Sequence, residues 1–129
     1  MKKHYIKIKD NDDVQRWAFV FAYDIGEDDA EEMGDWLEAL GAGRKEIERA
    51  CHTILKVNKG FTYSNPDLRM SLMCVGRASS IDQWFDSMTH EVDHLQWEIM
   101  QYYDVDPGTE EAAWLQGYIV RMIIKAIAR

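Results

Sequence analysis

The sequence predicts a single α+β domain over residues 1–129, in which a small antiparallel sheet packs beside a pair of helices. Short stretches near the N-terminus and in the middle of the chain alternate apolar and polar residues, as half-buried strands do. Two long segments toward the C-terminus instead carry apolar residues three or four positions apart, the spacing of amphipathic helices. With 129 residues, 47% of them hydrophobic, the chain is large enough for one core.

The first half of the chain is predicted to contain one strand, one ambiguous apolar run and two helices. Residues 5–9 alternate apolar and basic side chains and form the strand. Residues 17–23 are apolar throughout, and the pattern does not separate a buried strand from a buried helix. A helix capped at Asp28 or Asp29 should reach Leu40, and a second should cover residues 44–57.

The second half is predicted to contain a hairpin followed by two helices. Residues 61–64 and 69–75 are the two strands, joined around Pro66. Ser80 and Gln83 form a capping box that opens a helix ending near Tyr103. After a turn, with Asp106 or Thr109 as the cap, a last helix should run from Glu110 to about Ala128. Its apolar residues lie on most sides, so we expect it to be largely buried.

The predicted helix between Ser80 and Tyr103 contains the sequence His90-Glu91-Val92-Asp93-His94, an H-E-x-x-H motif of the kind that binds metal ions. The composition predicts only about 0.007 such patterns by chance. Histidines four residues apart project from the same side of a helix, so both can bind one Zn²⁺. A glutamate next to the first histidine then lies near a metal-bound water and can accept its proton.

The histidines should lie outside the core. Eight apolar residues form one stripe along this helix: Ile81, Trp84, Phe85, Met88, Val92, Leu95, Ile99 and Tyr102. His90 and His94 fall on the opposite side, with Trp97 and Gln101. They therefore face either open water or a cleft closed by another element, and a catalytic metal site requires the cleft.

A catalytic zinc ion usually has three protein ligands, so a third ligand is expected. Glu110 is the first choice, since it lines up with Ala113 and Gly117, small residues that would allow another helix to approach closely. Glu111 is the runner-up, and Cys74 is a lesser rival because thiolate binds zinc well. Acidic residues in the first turn of a helix also favour its dipole without any metal.

These residues resemble the zinc site of gluzincin-type metallopeptidases. His90-Glu91-x-x-His94 resembles the zinc-binding helix of that family, and residues 110–114 resemble its glutamate helix. With Trp114-x-x-Gly117-Tyr118, residues 61–126 are similar to small, uncharacterised metallopeptidase-like proteins of bacterial phages and mobile elements. The interval between His94 and the glutamate is shorter than in thermolysin-like enzymes, and no residue is selected to stabilise an oxyanion.

The resemblance implies a minimal zincin-like fold and a peptidase activity. Zinc would be held by His90, His94 and Glu110, with Glu91 as the general base. The resemblance also implies that the strand at residues 69–75 lies along the cleft and pairs with an extended peptide or protein substrate.

Charge and composition limit the partners and the compartment. A net charge of −8 argues against nucleic acid and anionic membranes. No run of residues is apolar enough to span a bilayer, the N-terminus lacks the apolar region of a signal peptide, and the two cysteines suit a reducing cytoplasm. The oligomeric state is not predicted.

Two other functions fit the same residues. The chain could be a catalytically inactive metal-binding protein, because so small a domain offers few walls for a substrate pocket. It could also be a metal-free module that uses its two long helices to bind a partner protein. A closed four-ligand site would favour the first of these functions, and solvated histidines without metal would favour the second.

Overall fold

The structure, a computed structural model, describes residues 1–129 and confirms the α+β class. Four strands and four helices follow one another in chain order: β1 (Lys2–Lys9), β2 (Gln15–Tyr23), α1 (Ala30–Ala39), α2 (Arg44–Ile54), β3 (Gly60–Asn65), β4 (Met70–Val75), α3 (Ile81–Tyr103) and α4 (Glu110–Ile127). A short 3-10 turn, Glu27–Asp29, precedes α1. The ambiguous apolar run is therefore a strand, β2.

The sheet is mixed, so the prediction of a wholly antiparallel sheet was wrong in this respect. Its strand order is β1-β2-β4-β3. β1 with β2 and β3 with β4 form antiparallel hairpins, but β2 and β4 pair in parallel. The two most apolar strands thereby occupy the centre of the sheet, where both faces are covered, and β1 and β3 become its edges.

Helices cover both faces of the sheet. Trp17, Phe19 and Phe21 of β2 pack into the larger core beneath α3 and α4. Val20 and Ala22 point to the other face and pack into a smaller core with α1 and α2. From Trp17 to Ala22 every residue of β2 is buried on one face or the other, which explains why this part of the sequence shows no alternation.

Helix α3 begins as predicted and buries one stripe of side chains. The Ser80 hydroxyl accepts a hydrogen bond from the backbone N–H of Gln83 at 3.2 Å, and Asp104 ends the helix in a left-handed conformation. The central residues of the predicted stripe are buried in the larger core, namely Met88, Val92, Leu95 and Ile99. The outer residues are not, since Ile81, Phe85 and Tyr102 are exposed.

Helix α4 is amphipathic, so the prediction that it is largely buried was wrong. Thr109 caps it by accepting a hydrogen bond from the N–H of Ala112 at 3.2 Å. Only four of its residues are buried: Ala112, Leu115, Ile119 and Ile123. Trp114 and Ile124 are exposed, because α4 lies on the outside of the domain and has only α3 and the β1 side of the sheet to pack against. No helix of the structure has the length and apolar character that crossing a membrane requires.

Candidate metal centre

Helix α3 holds the two histidines of the motif side by side. Because its apolar stripe faces the sheet, His90 and His94 project to the outside, and both are exposed. Their Nε2 atoms are 3.1 Å apart, and their ring centroids are 4.8 Å apart with the planes inclined at 75°. The two imidazoles lie on one side of the helix as predicted, but both are exposed, whereas a catalytic site was expected to lie in a cleft closed by another element.

This separation matches what a single metal ion requires. With Zn–N bonds of about 2.0–2.1 Å and tetrahedral angles, two ligand nitrogens lie about 3.3 Å apart. The same distance of 3.1 Å is also that of an N–H···N hydrogen bond between two neutral rings, one donating and one accepting. The separation of the two nitrogens is therefore compatible with one shared metal ion, and the pair is also satisfied without one.

Glu91 lies about 60° around the helix from His94 and is turned toward the sheet. Only 3% of its surface is exposed. The Thr62 hydroxyl of β3 donates a hydrogen bond of 3.0 Å to its Oε1 atom. Burial raises the pKa of the Glu91 carboxyl, while the Thr62 hydrogen bond and the two histidines act to lower it. Burial has the largest effect, so Glu91 binds a proton more readily than an ordinary glutamate.

The close contact between α3 and β3 depends on Gly60. A Cβ atom at this position would lie 2.6 Å from the backbone oxygen of Cys74 and 3.1 Å from Cγ of Glu91. Any side chain would therefore push β3 away from β4 and from Glu91 of α3. Gly60 and Thr62 were not singled out from the sequence, because a glycine and a threonine in a short strand carry no signal until the glutamate that they contact is known.

Glu110 and Glu111 do not join the histidines in this structure. No group of three or more His, Cys, Asp or Glu side chains is placed to hold a metal ion. Helix α4 contacts α3 on the side of Gln96, whose side-chain amide donates to the backbone oxygen of Ala112 at 2.9 Å. On a regular helix that side is about 160° away from His94. The histidines and α4 are thus on opposite sides of α3.

The helical face that carries Glu110 also differs from the prediction. Ala113 and Gly117 are exposed, and a Cβ atom on Gly117 would have no neighbour within 4 Å. The predicted close approach of another helix to this face was wrong, because α4 packs through the stripe that contains Ala112 instead. Glu110 is exposed on the outer face, and Glu111 lines a separate cavity beside Trp114.

Cys74 lies on the face of the sheet opposite to α3. Its side chain is fully buried in the smaller core with residues of α1 and α2. Burial, together with the charge of Glu91, raises the pKa of this thiol well above its usual value, so the thiolate that a metal requires is disfavoured. The structure therefore contradicts Cys74 as a ligand beside His90 and His94.

The strand predicted to pair with an extended peptide is also corrected. β4 lies inside the sheet, between β2 and β3, so both of its edges are already hydrogen-bonded. The strand with an unpaired edge next to α3 is β3. The backbone N–H of Gly76 donates to the backbone oxygen of Lys59, so these two residues form a hydrogen-bonded pair at the end of the β3–β4 ladder. Hydrogen-bonded pairs alternate along an antiparallel ladder, so the backbone N–H and C=O groups of Gly60, Thr62 and Ser64 point away from β4.

The fold and site define an α+β protein with an exposed histidine pair and a buried glutamate on one helix, beside the free edge of a sheet. Comparisons with protein-family models, with curated proteins and with solved structures found no match to this chain.

Proposed function

We propose that the chain is a zinc-dependent hydrolase, a small metallopeptidase in which His90 and His94 bind the metal and Glu91 is the general base. The observation that carries this proposal is the 3.1 Å separation of the two Nε2 atoms, with Glu91 one residue away on the same helix. A surface pair of histidines needs no buried carboxylate next to it. Burying an ionisable side chain at 3% exposure is unfavourable unless it is used or paired.

Zinc, when bound, supplies a coordinated water of lowered pKa and polarises the carbonyl of the substrate. The contribution of this chain to the reaction is the handling of the proton. Glu91 accepts a proton from the attacking water and passes it to the leaving amine. Burial raises the pKa of Glu91, so the carboxylate accepts a proton more readily than an ordinary glutamate. Thr62 keeps the carboxyl oriented through its hydrogen bond to Oε1.

The free edge of β3 offers a place for an extended peptide. Backbone groups of Gly60, Thr62 and Ser64 point outward and can form ladder hydrogen bonds with a substrate strand. Thr62 contacts Glu91 directly, so a peptide on this edge would have its backbone close to the general base. Both cysteines are free, which suits the cytoplasmic location that the sequence predicts.

A second function, an inactive metal-binding module, is favoured by one observation. The chain provides two histidines but no third His, Cys, Asp or Glu near them. A metal held by two side chains and otherwise by water or by a partner's groups is bound weakly, and such a site can serve association rather than catalysis. Whether Glu110 binds the metal, as the sequence predicts, therefore also helps to distinguish the two functions.

The test begins with metal content. Untagged protein equilibrated with added Zn²⁺ should hold one zinc per chain by elemental analysis, and Co²⁺ substitution should give the absorption of a histidine-ligated ion. His90→Ala and His94→Ala should each abolish binding, whereas His52→Ala, an exposed histidine on α2, should not. Metal contents that are equal in all four proteins would overturn the proposal.

Glu91→Gln separates the enzyme from the binding module. This variant keeps the volume of the side chain and both histidines, so zinc content should persist while cleavage of a denatured protein substrate disappears. Full cleavage by Glu91→Gln would remove the general base from the proposal. Zinc binding with no cleavage by the unmodified protein would support the binding module.

A comparison of Glu110→Gln with Glu111→Gln decides the third ligand. Both residues favour the helix N-terminus by a similar amount, about 0.3–1 kcal/mol, so this effect cancels. Loss of a true ligand should weaken zinc at least about tenfold, or 1.4 kcal/mol. An effect in Glu110→Gln alone would mean that the start of α4 moves toward the histidines on metal binding. Equal, small effects would leave water as the remaining ligand.

A further inference from the structure

A groove of about 600 Å³ runs between the outer edge of β1 and helix α4, on the side of the sheet remote from β3. Its lining residues come from these two elements and from Arg129, which follows α4. The groove shares no residue with the histidine pair, so a function here is independent of the metal centre.

The edge of β1 that borders this groove has unpaired backbone groups. β1 pairs only with β2. The Tyr118 hydroxyl of α4 lies 3.4 Å from the backbone oxygen of Lys7 and 3.4 Å from the backbone nitrogen of Lys9. The backbone groups of the odd-numbered residues of β1 therefore point away from β2. The groups of Lys3 and Tyr5 are therefore open to a further strand.

Cationic residues border the groove, although the chain as a whole is acidic. The protein has 23 acidic and 15 basic residues, yet the lining includes four lysines and one arginine and no acidic residue. Lys3 and Lys9 are paired with Glu32 and Asp13, while Lys7, Lys125 and Arg129 have no ion-pair partner. Because charges beyond about 10 Å are screened at physiological salt, a bound segment responds to these cations more than to the net charge.

The two faces of β1 set a pattern for what can bind. Ile6 and Ile8 point toward α4 and are buried, so Lys3, Tyr5 and Lys7 point to the other face. A strand added beside β1 would place alternate side chains next to these lysines and the remaining ones over Met122 and Ala126 of α4. The matching sequence alternates acidic and apolar residues.

We propose that this groove binds an acidic peptide segment of a partner protein, which adds to the sheet as a strand beside β1. Pairing with β1 of a second copy of the chain is disfavoured, because it would bring two sets of lysines together. The groove also borders His4, whose Nε2 is the one buried side-chain nitrogen or oxygen without a hydrogen-bond partner, and a group in the groove can supply that partner.

Binding of a labelled peptide tests the proposal. The probe is a fluorescein-labelled peptide as long as β1, in which glutamate and valine alternate, and fluorescence anisotropy reports its binding to the full chain. Saturable binding is expected, and Lys7→Glu should weaken it at least about tenfold, because Lys7 lies on the face of β1 where the glutamates are placed. Lys45→Glu makes the same charge change on the exposed surface of α2 and should have little effect.

Three control ligands identify what is recognised. A peptide with glutamine in place of glutamate should bind much more weakly, and so should a peptide of the same composition with its glutamates in one block. A single-stranded oligothymidylate should not compete. Competition by the oligonucleotide, or equal binding of the block peptide, would overturn strand addition in favour of a general anion surface. No binding of any probe would overturn the proposal and leave the lysines as protection against pairing of sheet edges.

Discussion

The hydrogen bond between Thr62 and Glu91 joins the edge strand to the motif helix, and Thr62→Val removes it while keeping the shape of the side chain. At pH 8 the buried Glu91 carboxylate would lose its side-chain donor. A hydrogen bond to a charged group contributes about 1.5–3 kcal/mol, so we expect the free energy of unfolding to fall by about that amount.

The decrease in the free energy of unfolding caused by Thr62→Val should be smaller at low pH. Because burial raises the pKa of Glu91 above 4.5, protonation of this group stabilises the fold fully below pH 4.5, and that contribution disappears as the pH rises through the folded-state pKa. At pH 4 the carboxyl is largely neutral, and the Thr62 hydroxyl then makes only a neutral hydrogen bond, which contributes about 0.5–1.5 kcal/mol.

Urea unfolding, followed by circular dichroism at pH 8 and pH 4 with EDTA present, measures the change in the free energy of unfolding at each pH. Thr89→Val is the matched control, because its hydroxyl bonds only to the Phe85 oxygen on the exposed side of α3. In a Glu91→Gln background the pH dependence of the Thr62→Val effect should vanish. An equal loss at both pH values in the unmodified background would refute the charge-based reasoning.

Two further predictions concern the same edge of the sheet. Gly60→Ala should lower the free energy of unfolding by about 1–3 kcal/mol in urea titrations, because its Cβ would sit 2.6 Å from the Cys74 backbone oxygen; an unchanged midpoint would show that β3 can move away freely. Cys74 should react with iodoacetamide only at the rate of unfolding, since its thiol is fully buried and its raised pKa disfavours thiolate; labelling at the rate of the half-buried Cys51 would contradict this.

The elements that the sequence predicts well are those whose signals are local. The cap at Ser80 and the burial of Val92 and Leu95 follow from side-chain chemistry within one or two turns of helix, and Thr109 was one of the two caps expected for α4. The exposed histidine pair follows from the same periodicity. These features require no knowledge of what lies next to α3 in space.

The features that the sequence did not predict depend on contacts between distant segments. Which face of α4 meets α3 is decided by how Ala112 packs near Gln96, whereas the sequence favoured the Glu110 face because Ala113 and Gly117 are small. The parallel pairing of β2 with β4 was missed because the pattern of each strand describes its burial but not its neighbour. The role of Thr62 became visible only once β3 was placed beside Glu91.

The parallel seam between β2 and β4 has a consequence for the folding kinetics of the chain. The hairpins β1–β2 and β3–β4 and the pair α3–α4 each bring together neighbours in sequence, but the seam closes a loop of about 45 residues, at an entropic cost of about 3 kcal/mol beyond a constant term. We therefore expect the seam to form late, after both hairpins. Substitutions of Val20 or Leu72, which face each other across it, should mainly accelerate unfolding and leave the refolding rate nearly unchanged.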